Sequence, residues 1–325
     1  MTKLFKVVQT EHLDEQAAAW LGQYVHLVRQ PLDDQEALKK ELQDADGLLV
    51  RTYTEVNAEF LALAPNVKVI GRAGVGLDNF DLKACEDRGV TVVHTPDANT
   101  QAVVEYAWSL LLENLRPRRY LTPEDTPEQF YHYRKTLVGS QINEMTLGIL
   151  GMGRIGRRMA EVAGAFGLQV IHNDLLDDAQ LDLPATCTSR SVDKTTLWSQ
   201  SDILTVHVDG RDANVRLLNE EVFSQLQPHC TLLNTARGML VDPAALAEWS
   251  KRAEPHGGQA LLDVHDPEPP PPDYPLWNRP NVRLLPHLAS RTSRAMSNMS
   301  SVVHDVWRVL QGETPKYPAP PSDSF

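Results

Sequence analysis

Short runs of Val, Leu and Ile alternate with amphipathic stretches through the first hundred residues. Residues 4–9, 25–28, 47–50, 67–70 and 91–93 predict strands, and 15–21, 35–42, 58–63 and 82–88 predict the helices between them. Such alternation predicts a parallel sheet flanked by helices. A longer helical run, 102–114, stops ahead of Arg116-Pro117, where proline blocks continuation. Periodicity then fades from 116 to 144, a stretch with Pro117, Pro123 and Pro127 and the aromatics Tyr120, Phe130, Tyr131 and Tyr133. It reads as a long connection or arm of the kind that wraps a partner subunit.

The alternation restarts with a strand at 145–150, a helix at 154–166 and a strand at 168–173. Further strands are expected at 203–206, 231–234, 260–263 and 282–284, then one closing helix over 292–310 and a proline-rich tail. The expected fold class is therefore α/β, with two Rossmann- or flavodoxin-like doubly wound parallel sheets and a cleft between the domains. The first domain would comprise residues 1–101 plus 290–325, and the second 102–289. The segment 267–275 is rich in proline and reads as a stiff surface loop.

Composition narrows the functional classes. The chain has 325 residues, 42% hydrophobic and 23% charged, with a net charge of −12. An acidic surface offers no attraction to nucleic acid or to an anionic membrane, so neither is expected as a partner. No apolar run reaches the length of a membrane span. The opening MTKLFKVVQTEHLDEQ puts charge where a signal peptide needs apolar residues, so a cytoplasmic protein is expected. Cys85, Cys187 and Cys230 are scattered and show no metal-ligand spacing, so no disulfide framework and no metal site are expected.

The most specific local motif is Gly151-Met152-Gly153-Arg154-Ile155-Gly156, which follows the apolar run TLGIL and opens a helix. The first Gly permits the tight turn, the second lets backbone approach a pyrophosphate, and the third lets helix and strand pack closely. The helix N-terminus adds amides and positive dipole. Asp174 ends the next strand, where a carboxylate accepts hydrogen bonds from a ribose and repels the extra phosphate of NADP. NAD is thus the expected cofactor.

Three later segments also end strands: LNTARG (233–238), LDVHDPEP (262–269) and LPHLAS (285–290). Ligands of open parallel sheets bind beyond the carboxyl ends of the strands, so an Arg, a Glu and a His distant in sequence would converge there. Taken singly, Arg237, Glu268 and His287 would each be read as surface residues. Their joint occurrence at strand ends reads as a site. Histidine suits proton transfer near neutral pH, a carboxylate beside it favours the imidazolium, and an Arg fork matches a substrate carboxylate.

With these segments in order, and with GRAGVGLDNFDL at 71–82, the chain resembles the D-isomer-specific 2-hydroxyacid dehydrogenase family over nearly its whole length, most closely its phosphoglycerate dehydrogenase branch. The resemblance implies Arg237 as holder of the substrate carboxylate, His287 as general acid/base and Glu268 as its partner. It implies that His207, Thr235, Ala236, Asp263 and Ser290 line the cofactor pocket, with Asp263 on the nicotinamide carboxamide. It implies further that Gly74, Val75 and Gly76 form an anion-binding turn for substrate. Arg51 and Arg72 match positions where phosphoglycerate dehydrogenases carry Arg, and would read a phosphate or second carboxylate.

The expected function is NAD-dependent oxidoreduction of a small D-2-hydroxy or 2-oxo acid by a homodimer. Hydroxypyruvate or glyoxylate reduction and an NAD-sensing corepressor role are the alternatives. No further domain is expected beyond PAPPSDSF. The chain departs from the family pattern at His265, where an aromatic is usual, and at 208–212, where the sequence VDGRD replaces a proline-containing loop.

Overall fold

The computed structural model describes residues 4–322, so the first residues of the opening segment and the last three of the PAPPSDSF tail lie outside the described residues. Residues up to Asn99 together with those from Ser290 onward form one compact unit, and Thr100–Ala289 form the other.

In the first unit, β1 (Lys6–Gln9), β2 (His26–Arg29), β3 (Gly47–Val50), β4 (Val69–Arg72) and β5 (Thr91–Val93) form a sheet of order β2-β1-β3-β4-β5. Every pairing is parallel, and the order reverses between β1 and β3. Both faces are covered, as all-parallel sheets require. Val8, Leu48, Val50 and Ile70 pack with Leu38, Leu61 and Cys85 on one face, while Val7, Leu49, Val69 and Val93 meet Leu21, Val303 and Val306 on the other. The C-terminal segment thus completes the core that the N-terminal residues begin.

The second unit contains β6 (Thr146–Leu150), β7 (Gln169–Asn173), β8 (Arg190–Ser191), β9 (Ile203–Val206), β10 (Thr231–Asn234), β11 (Gln259–Leu262) and β12 (Val282–Leu284). Their order is β12-β11-β10-β9-β6-β7-β8. This is the dinucleotide-binding winding with one extra strand, and its switch point lies between β6 and β9. The helices Thr100–Leu115 and Arg154–Phe166 bury Leu111, Met159 and Ala163 against Leu147, Ile149 and Ile203.

Three expectations are corrected. The arm at 116–144 contains a helix, Pro127–Thr136, opened by a Thr126–Gln129 capping box with proline in its first turn. The expected closing helix is two helices, Ser293–Ser300 and Val302–Leu310. They part in a serine-rich stretch where the Ser300 and Ser301 hydroxyls donate to the Met296 and Asn298 carbonyls, competing with the helical ladder. The fourth strand runs two residues further than read, because Arg72 still pairs with Val50.

Among the described residues, no helix is long and apolar enough to cross a membrane.

Candidate functional site

Because the second sheet is parallel throughout, the ends of β7, β6, β9, β10, β11 and β12 share one edge. The loops at that edge carry the residues singled out from the fingerprint to His287. The fingerprint turn sits at the switch point. Gly151 has φ +95°, and a Cβ there would lie 2.9 Å from the His207 carbonyl carbon and from Val208 Cγ1. Its N–H donates to Asn173 O at 2.9 Å, and the His207 N–H donates to Leu150 O at 2.8 Å, so three strand ends are stitched around the turn. A Cβ on Gly156 would collide with the Gly151 carbonyl oxygen. Gly153 differs: nothing lies within 4 Å of the position its Cβ would take. Packing requires the first and third glycines, whereas the second borders open space at a helix N-terminus. An anionic ligand fits there.

The loop ends supply further fits for a dinucleotide. Asp174 Oδ2 accepts the Met152 N–H at 2.6 Å and Oδ1 accepts Leu176 N–H at 3.0 Å, which fixes a carboxylate beside the turn. Thr235 Oγ1 and His207 Nδ1 are buried without a hydrogen-bond partner, the condition expected of groups that meet a ligand. His207 Nε2 lies 2.9 Å from Thr205 Oγ1, and burial pushes the imidazole down to about 3, so it is neutral at physiological pH. Arg154 and Ile155 begin the helix Arg154–Phe166. The departing loop after β9 is built by a fork: Arg211 Nε donates to Asp209 Oδ1 at 2.7 Å, and Asn214 Nδ2 donates to the Asp209 carbonyl at 3.0 Å.

Asn234, fully buried at the end of β10, shapes the next loop. Its Oδ1 accepts the Ala236 N–H at 3.0 Å and its Nδ2 donates to the Arg237 carbonyl at 2.8 Å. Arg237 is half-buried, with Nη1 donating to Ala236 O at 2.7 Å. A Cβ on Gly238 would collide with the His265 carbonyl, so the Arg237 loop lies directly on the segment leading into Glu268.

Glu268 and His287 meet: Nδ1 donates to Oε1 at 2.7 Å, and both side chains remain about two-fifths exposed. His287 has φ +55°, a strained backbone for a non-glycine residue and one that collects at functional sites. The strain is held by Asp263, whose two oxygens accept the N–H groups of Leu288 and Ala289, each at 2.8 Å. Burial raises the Asp263 pKa against the pull of those amides, of His287 and of the Tyr106 hydroxyl. Burial likewise pushes the Tyr106 phenol up to about 12, helped by the Asp263 charge. Both Asp263 oxygens are thus engaged with the His287 loop, a use beyond the carboxamide contact that the resemblance implies. His265 is buried beneath: its Nε2 lies 2.7 Å from the Leu285 carbonyl and its ring packs edge-on to Tyr274. Ser290 stands where the chain re-enters the first unit.

The first unit holds the remaining residues. Arg51 follows β3 and Arg72 ends β4. Arg72 lies across the turn so closely that a Cβ on Gly74 would strike its guanidinium. The turn at Gly74, Val75 and Gly76 is tied from β5: the Thr95 N–H donates to Gly74 O at 3.0 Å, and His94 Nδ1 lies 2.9 Å from Val75 O. Two contributors carry less signal in the sequence. Asn234 lies within LNTARG, where an amide at the end of an apolar run is the usable cue. Tyr106 lay in a helix with no local cue to its partner. No group of three or more potential metal ligands occurs among the described residues.

Residues 109–289 match the D-isomer specific 2-hydroxyacid dehydrogenase, NAD binding domain family. The chain is 33% identical to a D-3-phosphoglycerate dehydrogenase of Archaeoglobus fulgidus over 85% of its own length, and spans about half (52%) of that relative. It is 33% identical to a glyoxylate reductase of Thermofilum pendens, over 86% of this chain and 83% of that one. A protein of Thermus thermophilus of known crystal structure superposes with a TM-score of 0.82 at 30% identity, over 97% of this chain and all of the other.

Proposed function

The chain belongs to the D-isomer specific 2-hydroxyacid dehydrogenase family, and we propose that it interconverts a small D-2-hydroxy acid and its 2-oxo acid with NAD. The observation that carries this reading is the Glu268–His287 pair, 2.7 Å apart on loops at the carboxyl edge of the dinucleotide-binding sheet. When bound, the nicotinamide supplies or accepts the hydride. With Nδ1 committed to Glu268, His287 presents Nε2 to the substrate. It protonates the carbonyl oxygen in reduction and takes the hydroxyl proton in oxidation, worth about 10²- to 10⁴-fold in rate. The Glu268 carboxylate holds the ring by Nδ1 and so fixes its orientation for that proton transfer. Arg237 binds the substrate carboxylate and fixes the reacting carbon. Asp174 receives the adenosine ribose, and its charge disfavours the 2′-phosphate of NADP. Thr235, Ala236, His207 and Asp263 complete the cofactor pocket.

The finer reading is a phosphoglycerate dehydrogenase-like substrate, with Arg51, Arg72 and the Gly74-Val75-Gly76 turn binding its anionic groups. The Archaeoglobus relative bears that name; the alternative is hydroxypyruvate or glyoxylate reduction, and the Thermofilum relative is named a glyoxylate reductase. The homodimer is supported by the helix Pro127–Thr136, which buries none of its residues, and by exposed Tyr120, Leu121, Phe130, Tyr131 and Val138 around it. A ten-residue helix with no core of its own needs a partner surface. Three free, buried cysteines fit a reducing, cytosolic setting.

The deciding assay is NADH oxidation against hydroxypyruvate, glyoxylate, pyruvate, 2-oxoglutarate and phosphohydroxypyruvate, repeated with NADPH. Turnover is expected with at least one acid. Tight NADH binding without turnover would replace the enzyme by a cofactor-sensing binding protein.

A further inference from the structure

In the first unit β1 and β3 are parallel neighbours, and the loops that leave them meet. Glu11, two residues beyond β1, sends its carboxylate into the loop that follows β3. There it accepts four consecutive backbone N–H groups: Arg51 at 2.9 Å, Thr52 at 2.9 Å, Tyr53 at 3.1 Å and Thr54 at 3.0 Å. The Thr54 hydroxyl adds a fifth bond at 2.9 Å. Successive amides converging on one point form an anion nest, and here the anion is the chain's own. The carbonyl side of the same loop is gripped by Asn79, whose Nδ2 donates to Arg51 O at 3.2 Å and Thr54 O at 2.6 Å. Burial by itself would raise the Glu11 pKa, but the hydrogen bonds from Arg51 to Thr54 outweigh it and hold the group below its ordinary 4.5.

The Arg51 side chain is anchored through the neighbouring residue. Its Nη1 donates to the carbonyl of His12, and its Nη2 lies 3.4 Å from Met296 Sδ. The two-residue step Glu11-His12 therefore holds Arg51 at both ends, by its backbone amide and by its guanidinium. We infer that Glu11 is the positioning residue that sets Arg51 for binding an anionic group on the substrate. This rests on the reading of Arg51 as a substrate ligand. With the nest already filled by Glu11, the loop presents a substrate anion with the Arg51 side chain rather than with its amides.

The test is a double-mutant cycle on the full chain with NADH, using phosphohydroxypyruvate and glyoxylate as probes. Arg51→Ala is expected to raise KM for the phosphorylated acid about ten- to hundred-fold, the worth of one charge-assisted hydrogen bond. Glu11→Gln, which keeps the shape but removes the charge and turns a donor toward the amides, should raise the same KM about ten-fold. It should lower kcat less, and affect glyoxylate less than the phosphorylated acid. In the Arg51→Ala background Glu11→Gln should add little. Glu11→Asp, which keeps the charge on a shorter arm, should fall between wild type and Gln, and carries the test if the Gln variant does not fold. Independent, multiplying effects overturn the inference, as does a Glu11→Gln KM within two-fold of wild type while Arg51→Ala raises it. If Arg51→Ala leaves both KM values in place, Arg51 does not touch substrate, and the positioning role falls with that reading.

Discussion

Gly153 and Gly156 stand three residues apart in one motif, yet the structure gives them different reasons to be glycine, and alanine substitution separates the two. At Gly156 a methyl group would overlap the Gly151 carbonyl oxygen and press within 3.1 Å of the Gly151 carbonyl carbon and 3.2 Å of Ile149 Cγ2. Inside a helix, Gly→Ala ordinarily stabilises by about 1 kcal/mol. Here backbone must shift, and overpacking costs about 1–3 kcal/mol, which reverses the sign. Net of the helix-propensity gain this leaves up to about 2 kcal/mol of destabilisation, so for a unit of this size the melting temperature should fall by up to about 8 °C. At Gly153 the added methyl meets nothing within 4 Å, and φ is −66°, which alanine adopts readily. Loss of a favourable N-cap residue and the reduced entropy of the unfolded chain roughly cancel, so stability should stay within about 1 kcal/mol of wild type. The same methyl enters the space assigned to the pyrophosphate. Displacing one charge-assisted hydrogen bond costs about 1.5–3 kcal/mol, so NADH should bind about ten- to hundred-fold more weakly. Thermal melts and NADH titrations followed by tryptophan fluorescence read the two quantities separately. If Gly153→Ala melts as low as Gly156→Ala, or binds NADH within three-fold of wild type, the open space beside Gly153 is not a phosphate cradle.

Replacing His287 by Gln should cut turnover about 10²- to 10⁴-fold with NADH affinity retained, and retained turnover would remove it from the chemistry. Asp263→Asn turns an amide donor toward the Leu288 and Ala289 N–H groups, so kcat should fall although the His287 side chain is intact; a wild-type kcat would mean that the loop holds itself. His207 carries a pH signature. Its folded pKa of about 3 lies below the 6.5 of the ordinary imidazole, so the unfolded chain binds the proton first as pH falls. This contribution to stability is complete above 6.5 and declines as pH falls through the window down to about 3, by about 1.4 kcal/mol between pH 7.5 and 5.5. Urea denaturation at the two pH values should show that loss, and His207→Asn should remove it. An unchanged pH dependence in the variant would place the titration elsewhere.

Periodicity and punctuation along the chain determined the α/β class, the parallel sheets, the fingerprint turn and the strand-end positions of Arg237, Glu268 and His287. These features are local: a run of Val and Leu, a glycine triplet after a strand, or an acid at a strand end carries its signal within a few residues. Helices too short for a clear period, such as Lys194–Gln200 and Glu220–Gln225, carried no such signal, and the helix Pro127–Thr136 was hidden by the prolines and aromatics around it. Only the tertiary structure decided which polar groups share a site. That Asp263 grips the amides after His287, that Tyr106 reaches Asp263 from a distant helix, and that Glu11 fills the amides of Arg51–Thr54 all depend on contacts between segments far apart in sequence. A carboxylate's partners are set by which strand ends become neighbours in the sheet. That adjacency comes from packing both faces of each sheet, and no single segment encodes it.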